Sequence, residues 1–197
     1  MTKRSHILRF LQIMPETPVN GDYLLRDLPG SGKRIDILCR DAAACFGWAP
    51  VSWPKSCIEL VGILSDTSTL TFRYPGTWIP KGETEWAQII MDSLTGRPPI
   101  FVHVSKTGLE QVVRKLMSIS GSQVWLLDRG GIPLADVMDA MGPAQNSFML
   151  GDHRGIDEKT RQLANECGVC SVSLGNTSYL SSHCVAAVIS EFERMGL

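Results

Sequence analysis

The sequence predicts an α/β fold with a largely parallel sheet flanked by helices. Short apolar segments of strand-like composition alternate with segments whose apolar residues recur at helical spacing. In the last third, three predicted strands each end in a glycine-bearing loop, at 128–131, 151–155 and 175–177. Ligands in open α/β sheets bind beyond the carboxyl ends of the strands. The three loops therefore predict a pocket lined by main-chain groups.

The first half of the chain shows both periodicities. The first strand, Ser5–Met14, is strongly apolar and ends before a proline-rich turn. The apolar residues of a helix at Ile35–Phe46 lie three and four positions apart. Two strands, Cys57–Leu64 and Leu70–Tyr74, flank a polar turn. The helix Glu83–Leu94 follows, with a tryptophan and two isoleucines on one face.

The second half alternates more regularly. Strands are predicted at Ile100–Val104, Gln123–Leu127, Ser147–Leu150 and Cys170–Leu174, and helices at Leu109–Met117 and Glu158–Cys167. A last helix from about Ser178 to Met195 carries an apolar stripe that we expect to need a partner surface. The stripe consists of Leu180, Cys184, Ala187, Val188, Phe192 and Met195.

The composition is typical of a globular chain rather than a disordered or fibrous one. Of 197 residues, 44% are hydrophobic and 20% are charged. No apolar run approaches the roughly 18–20 residues of a membrane span, and no apolar signal segment follows Lys3 and Arg4. We therefore expect one soluble, cytoplasmic domain over residues 1–197, with no membrane partner.

The net charge of −1 conceals a basic N-terminal region. Seven Lys/Arg and four Asp/Glu give residues 1–40 a charge of +3, which leaves −4 for the remainder. A phosphate-bearing partner needs a local basic patch more than a basic protein. The alternative is a set of solvated surface side chains.

The six cysteines are expected to be reduced thiols, because nothing in the sequence indicates secretion. The only Cys-x-x-Cys pair is Cys167 and Cys170, and a structural zinc site needs a second pair or a following histidine pair. We expect no metal and interpret both thiols as small core residues. A redox role, the alternative, would require an exposed and reactive Cys167.

The segment Gly30–Lys33 does not complete a nucleotide-binding motif. A P-loop needs glycine where Asp27 stands and serine or threonine where Arg34 stands. A dinucleotide fingerprint needs a small residue in place of Ile35. The segment therefore predicts neither a P-loop nor a nicotinamide or flavin site.

Three segments carry a family resemblance: DLPGSGKRIDILCR (27–40), LGDHRGI (150–156) and VSLGNTSYLSSHCV (172–185). They resemble the signature blocks of the TrmY family, SPOUT-superfamily methyltransferases that act on N1 of pseudouridine in the T-loop of tRNA. The likeness extends over nearly the whole chain, and the third block is the most specific. The middle, about 45–120, holds no matching motif.

The resemblance implies a C-terminal trefoil knot, S-adenosylmethionine (SAM) bound by the knot loops, and a homodimer with the site at its interface. We expect a substrate-facing part at about 1–120 and a cofactor-binding part at about 121–197. The cofactor residues it implies are Leu127, Gly151, Leu174, Gly175, Asn176, Thr177, Ser178, Tyr179 and Cys184. For Cys184, the alternative is a buried thiol on an apolar stripe.

N1 of pseudouridine carries a proton, and the candidate catalytic residues that could accept it are Asp36 and Asp152, with His153 as a further alternative. Asp36 lies near Arg34 and Arg40 in sequence, so a structural ion pair is its alternative role. Asp152 could instead organise its loop. The candidates for contacts with tRNA are Lys33, Arg34, Arg40 and His153.

The sequence thus predicts a SAM-dependent RNA methyltransferase, specifically one that methylates N1 of pseudouridine in tRNA. Two alternatives stay open. One is a non-catalytic RNA-binding or cofactor-sensing dimer of the same fold, and the other is methylation of a different RNA.

Overall fold

The computed structural model describes residues 6–48, 53–141 and 145–194. One sheet contains seven strands: β1 (Ile7–Met14), β2 (Ile58–Leu64), β3 (Ser68–Phe72), β4 (Val102–Ser105), β5 (Ser122–Pro133), β6 (Gln145–Leu150) and β7 (Cys170–Ser173). Their spatial order is β4-β3-β2-β1-β6-β5-β7. Strands β1, β2, β5, β6 and β7 run parallel, and β3 is antiparallel to both of its neighbours. The largely parallel sheet predicted from the sequence is confirmed.

The described residues form six α-helices: α1 (Ile35–Ala43), α2 (Glu83–Leu94), α3 (Leu109–Met117), α4 (Leu134–Val137), α5 (Glu158–Glu166) and α6 (Ser181–Arg194). Helix α1 continues into a π-helical turn, Ala44–Trp48, and 3-10 turns lie at Lys55–Cys57 and Met138–Ala140. Helix α5 begins where the Asp157 side chain accepts the Thr160 N–H at 2.8 Å, a typical N-cap. In the described part of the chain, no helix is long and apolar enough to cross a membrane.

The sheet separates two apolar cores. Along the central strand β1, Leu8, Phe10 and Met14 pack in a core that also holds α1, α2 and α6. Leu11 and Ile13 point to the other face, where α3 and α5 cover them. Parallel strands covered on both faces read as continuous apolar runs. This is why β1 is recognisable from its sequence.

The loop inside β5 brings two backbones unusually close. The pairing of β5 with β7 shifts register between Leu127 and Ile132, so residues 128–131 leave the ladder. A Cβ added to Gly131 would lie 2.6 Å from the backbone nitrogen of Val172. Only glycine fits this approach without displacing β7. The strand predicted to end at Leu127 therefore resumes pairing beyond its glycine loop.

The last helix differs from its prediction in its start and in its buried face. It begins at Ser181, and Leu180 before it is exposed. The buried apolar face consists of Val185, Val188, Ile189 and Phe192. These side chains pack into the core of the same chain, whereas Leu180 of the predicted stripe is exposed. The expectation that this helix needs a partner surface stays a prediction. Met195 and Ser5, which bound two predicted elements, lie outside the described residues.

Two strands also begin at residues other than those predicted. Strand β3 begins at Ser68 rather than Leu70, because its polar first residues find partners on β4: the hydroxyl of Thr69 lies 2.6 Å from that of Ser105. Strand β4 begins at Val102, whose N–H closes a turn onto the Pro99 carbonyl at 2.9 Å. Ile100, predicted to open that strand, is exposed before the turn.

The cysteines are free thiols, as predicted. Cys167 is half-buried and Cys170 is exposed, so the interpretation of Cys170 as a core residue is wrong. Cys170 opens β7, which is the edge strand of the sheet and has a neighbour on one side only. Within the described ranges, no three His, Cys, Asp or Glu side chains cluster as metal ligands would.

Candidate functional site

A cavity of about 660 Å³ lies at the loop inside β5 and at the carboxyl ends of β6 and β7. This loop and the loops after β6 and β7 form much of its wall, and residues of α1 and the start of α6 complete it. The volume is within the range of small-molecule sites, about 300–1,000 Å³. The convergence of the three glycine loops predicted from the sequence is therefore confirmed.

The loop after β6 is held by close backbone packing. A Cβ added to Gly151 would overlap the carbonyl group of Gly155. The Gln12 side chain of β1 donates to the Gly151 carbonyl at 3.0 Å. Asp152 accepts the backbone N–H of Arg154 at 2.7 Å, which closes the turn. Asp152 thus organises this loop and also lines the cavity.

The loop after β7 depends on a glycine conformation. Gly175 has φ +144°, which side-chain-bearing residues rarely adopt. Ser173 fixes this turn, because its hydroxyl accepts the Gly175 N–H at 3.1 Å and donates to the Gly175 carbonyl at 2.9 Å. The exposed Tyr179 lies next to Gly175 and lines the cavity. Since α6 begins only at Ser181, the segment up to Leu180 is loop and presents main-chain groups.

Helix α1 contributes charge to the cavity. Arg34 donates to both oxygens of Asp36 at 3.1 and 3.2 Å, and Arg40 donates to one of them at 2.6 Å. The bond to Asp36 raises the pKa of Arg34. Asp36 is buried beneath the two arginines, which are partly exposed and line the cavity. The predicted neighbours form an ion-pair triad in which Asp36 holds the arginines.

The thiol of Cys184 packs against the cavity without being reactive. It is half-buried in the first turn of α6. Burial, together with the nearby Asp41, raises the pKa of Cys184 to about 11. The group is therefore a neutral thiol near pH 7 and offers an apolar contact rather than a nucleophile.

Most of the predicted site residues lie on the cavity wall. Of the predicted residues, these line the cavity: Leu127, Gly151, Leu174, Gly175, Thr177, Ser178, Tyr179, Cys184, Arg34, Arg40, Asp152 and His153. Three do not: Asn176 and Lys33 are exposed outside it, and Asp36 lies beneath its surface.

Sequence reasoning missed several charged lining residues. Asp128 and Arg129 lie in the first glycine loop, which the sequence singled out only for its backbone. Arg161 of α5 forms an ion pair with Asp128 in the cavity. Arg154 pairs with Asp152 at 3.0 Å. No local sequence signal places a residue of α5 here, because the contact depends on how the helix packs.

Residues 92–197 match the family described as "Putative SAM-dependent RNA methyltransferase". The chain is 31% identical over 183 residues to the tRNA (pseudouridine(54)-N(1))-methyltransferase of Thermococcus kodakarensis, covering 85% of this chain and 89% of that protein. It is 28% identical to the protein of the same name from Pyrococcus abyssi, over 92% and 95% of the two chains. Among solved structures, Archaeoglobus fulgidus Nep1 bound to S-adenosylhomocysteine has a TM-score of 0.67 at 18% identity, with 96% of this chain and 98% of that chain covered. This last likeness shows the fold.

Proposed function

The chain belongs to the TrmY family of SAM-dependent RNA methyltransferases, and from this premise we propose that it methylates N1 of pseudouridine 54 in tRNA. The observation that carries the proposal is the cavity formed by three glycine loops, with two arginines of α1 on its wall. The loops suit a cofactor held by main-chain groups, and the arginines suit a polyanion.

The cavity fits SAM in size and in the chemistry of its lining. Bound there, SAM supplies an electrophilic methyl group on a sulfonium. The residues that would hold it are Leu127, Gly151, Leu174, Gly175, Thr177, Ser178, Tyr179 and Cys184, while Asn176 is exposed outside the cavity. The glycine at 151 admits a backbone approach that a side chain would block. We expect SAM to bind with at least micromolar affinity, about −8 kcal/mol.

The charged wall would position the RNA. Five arginines line the cavity against two aspartates, which gives it an excess of positive charge. Arg34 and Arg40 would contact phosphates, with Asp36 holding their guanidinium groups in place. Lys33 and His153 would extend this surface outward. Positioning of this kind is the main contribution an enzyme makes to a displacement at carbon.

The proton on N1 needs an acceptor, and we assign Asp152 to that role. Asp152 lines the cavity and pairs with one arginine, Arg154, whereas Asp36 lies beneath the cavity surface and is engaged by two arginines. As N1 is methylated, the Asp152 carboxylate would accept the proton that N1 loses. If Asp36 is the acceptor instead, Asp36→Asn will lower turnover more than Asp152→Asn.

The test is the product nucleoside. The purified protein is incubated with SAM and two tRNA transcripts, one with pseudouridine at position 54 and one with uridine. Mass spectrometry should find N1-methylpseudouridine only in the first, because N1 of uridine is bonded to the ribose. SAM binding without methylation of either RNA would favour a non-catalytic cofactor-sensing protein. Methylation elsewhere would favour a different substrate.

We also propose a homodimer, a knotted cofactor-binding part at about 121–197 and a substrate-facing part at about 1–120. Support for the dimer comes from Tyr179 and Leu180, two large exposed apolar residues on the cavity wall. A stable two-fold dimer would bury roughly 1,500 Å² or more. Light scattering should give twice the mass of one 21.7 kDa chain. A cytoplasmic location is part of the proposal, and a tRNA substrate supports it.

A further inference from the structure

The carboxylates around the cavity are paired with arginine, with one exception. The pairs are Asp36 with Arg34 and Arg40, Asp128 with Arg161, and Asp152 with Arg154. Asp41 forms no ion pair with any described residue. Its Oδ1 accepts a hydrogen bond of 2.6 Å from the Ser181 hydroxyl, and its Oδ2 has no partner in the described part of the chain. Asp41 is thus the acid near the cavity that no ion pair balances.

Asp41 lies directly behind the cavity wall. It is fully buried near the end of α1, and its partner Ser181 is both the first residue of α6 and a lining residue. Cys184, one turn further along α6, also lines the cavity and lies within the electrostatic reach of Asp41. Protein rather than water separates the carboxyl from the cavity, so little screening weakens its effect on a ligand.

The surroundings of Asp41 determine when it is charged. Burial raises the pKa of Asp41 to about 7, although the bond from Ser181 and the charge of Arg40 lower it. The other titratable groups around it are the thiols of Cys39, Cys45 and Cys184, and Glu83 of α2, which lies 3.5 Å from Arg40. Burial raises the pKa of all three thiols, so they stay neutral. The Asp41 carboxyl therefore gains or loses its charge near neutral pH.

An asparagine at this position would still accept the bond from Ser181 and would avoid ionising a buried acid. The negative charge has a use if a cation enters the cavity. Methyl transfer turns the sulfonium of SAM into the neutral thioether of S-adenosylhomocysteine, so donor and product differ by one positive charge. On the premise of the proposed function, we propose that Asp41 is the counter-charge of the methyl donor and favours SAM over its product.

The test compares the affinities of SAM and S-adenosylhomocysteine by calorimetry at pH 8, for the wild type and for Asp41→Asn. The preference for SAM should fall about tenfold in the variant, mainly through weaker SAM binding. Asp92→Asn, which removes an equal charge from α2 where Asp92 pairs with Arg97, should leave the preference unchanged. An equal loss for both ligands, or no change, would overturn the inference.

A second measurement tests the role of Asp41 on the wild type alone, so it does not depend on the folding of Asp41→Asn. Near its pKa of about 7 the carboxyl is partly protonated, so SAM should expel a fraction of a proton that S-adenosylhomocysteine does not. Calorimetry of the wild type in buffers of different ionisation enthalpy measures this release. Equal proton release for both ligands would contradict the proposed role of Asp41 and leave SAM as the proposed cofactor. A wild type that binds neither ligand contradicts the proposed cofactor as well.

Discussion

Two walls of the cavity differ in what holds them together: one consists of the glycine loops inside β5 and after β6 and β7, and the other consists of Arg34 and Arg40 at α1. The loop wall depends on glycines that let backbones approach, as at Gly151 and Gly131. The α1 wall depends on an ion-pair triad in which Arg34 and Arg40 bind Asp36. The loop wall fixes a shape through its backbone and also carries charged side chains, whereas the α1 wall contributes only its two arginines and Ile37.

The difference between the two walls predicts which substitutions cofactor binding tolerates and which substitutions RNA binding tolerates. A cofactor held by main-chain groups is insensitive to most side-chain changes but is lost when a loop backbone moves. A polyanion held by arginines is weakened in steps, because each phosphate contact contributes separately. Substitutions in the loop wall should therefore affect SAM abruptly, and substitutions in the charged wall should affect RNA gradually.

The largest effect is expected from Gly151→Ala. The added methyl group would overlap the Gly155 carbonyl and displace the loop, so SAM affinity should fall at least 100-fold. Gly130→Ala is the matched control, since a Cβ there meets nothing within 4 Å. Calorimetric titration with SAM measures both. Wild-type affinity in Gly151→Ala would show that this loop does not shape the cofactor site.

Asp152→Asn should have an effect of comparable size, on turnover rather than on SAM affinity. Loss of a positioned base lowers turnover by roughly 10²–10⁴. The amide oxygen can still accept the Arg154 N–H, so the loop and SAM affinity should be retained. Single-turnover methylation with pseudouridine-containing tRNA measures the rate, and Asp36→Asn is run in parallel. Near wild-type turnover in Asp152→Asn would transfer the role to Asp36 or to water.

The sequence predicts regular elements well where local rules decide. Helices Glu83–Leu94 and Leu109–Met117 have the predicted bounds, because each has a periodic apolar face and a glycine before its first residue. The start of α6 is missed, since residues 178–180 have nothing that forbids a helix. Cys170 is misread because only the strand order shows that β7 is an edge.

In the candidate site, too, features set by local sequence are predictable and features set by tertiary packing are not. The glycine loops are visible in sequence, because glycine marks places where backbone needs space or an unusual φ. The Ser181–Asp41 bond joins residues 140 positions apart, and the ion pair of Arg161 with Asp128 joins residues 33 apart. Such contacts depend on how α1, α5 and α6 pack, which no local pattern encodes. The main-chain wall was therefore predictable, and the full set of charges was not.

Asp41→Asn should change stability in a pH-dependent way. The pKa of Asp41 is about 7 when folded, against 3.8 for the unfolded chain, so the folded state retains a proton that the unfolded state loses between those values. Wild-type stability therefore falls as pH rises from about 4 to 7, and the variant lacks this loss. The Tm of the variant minus the Tm of the wild type should therefore be larger at pH 8 than at pH 4.5, by about 5 °C or more. Parallel melting curves with an unchanged Tm difference would show that Asp41 does not titrate in this range.

The smallest effect is expected at Arg129, on the rim where the two walls meet the solvent. Arg129 is exposed, lines the cavity and forms no ion pair with a described residue, so it is free to contact a phosphate. Arg129→Ala should weaken tRNA binding about three- to tenfold and reduce the salt dependence of log K by about one unit, with SAM affinity unchanged. Lys115→Ala is the matched control, because Lys115 is an exposed cation on α3, across the sheet from α1. Fluorescence anisotropy with labelled tRNA at several salt concentrations measures both variants. If Lys115→Ala weakens binding as much as Arg129→Ala does, the RNA is held by charge spread over the whole molecule. Arg129 then makes no specific contribution to RNA binding at the cavity.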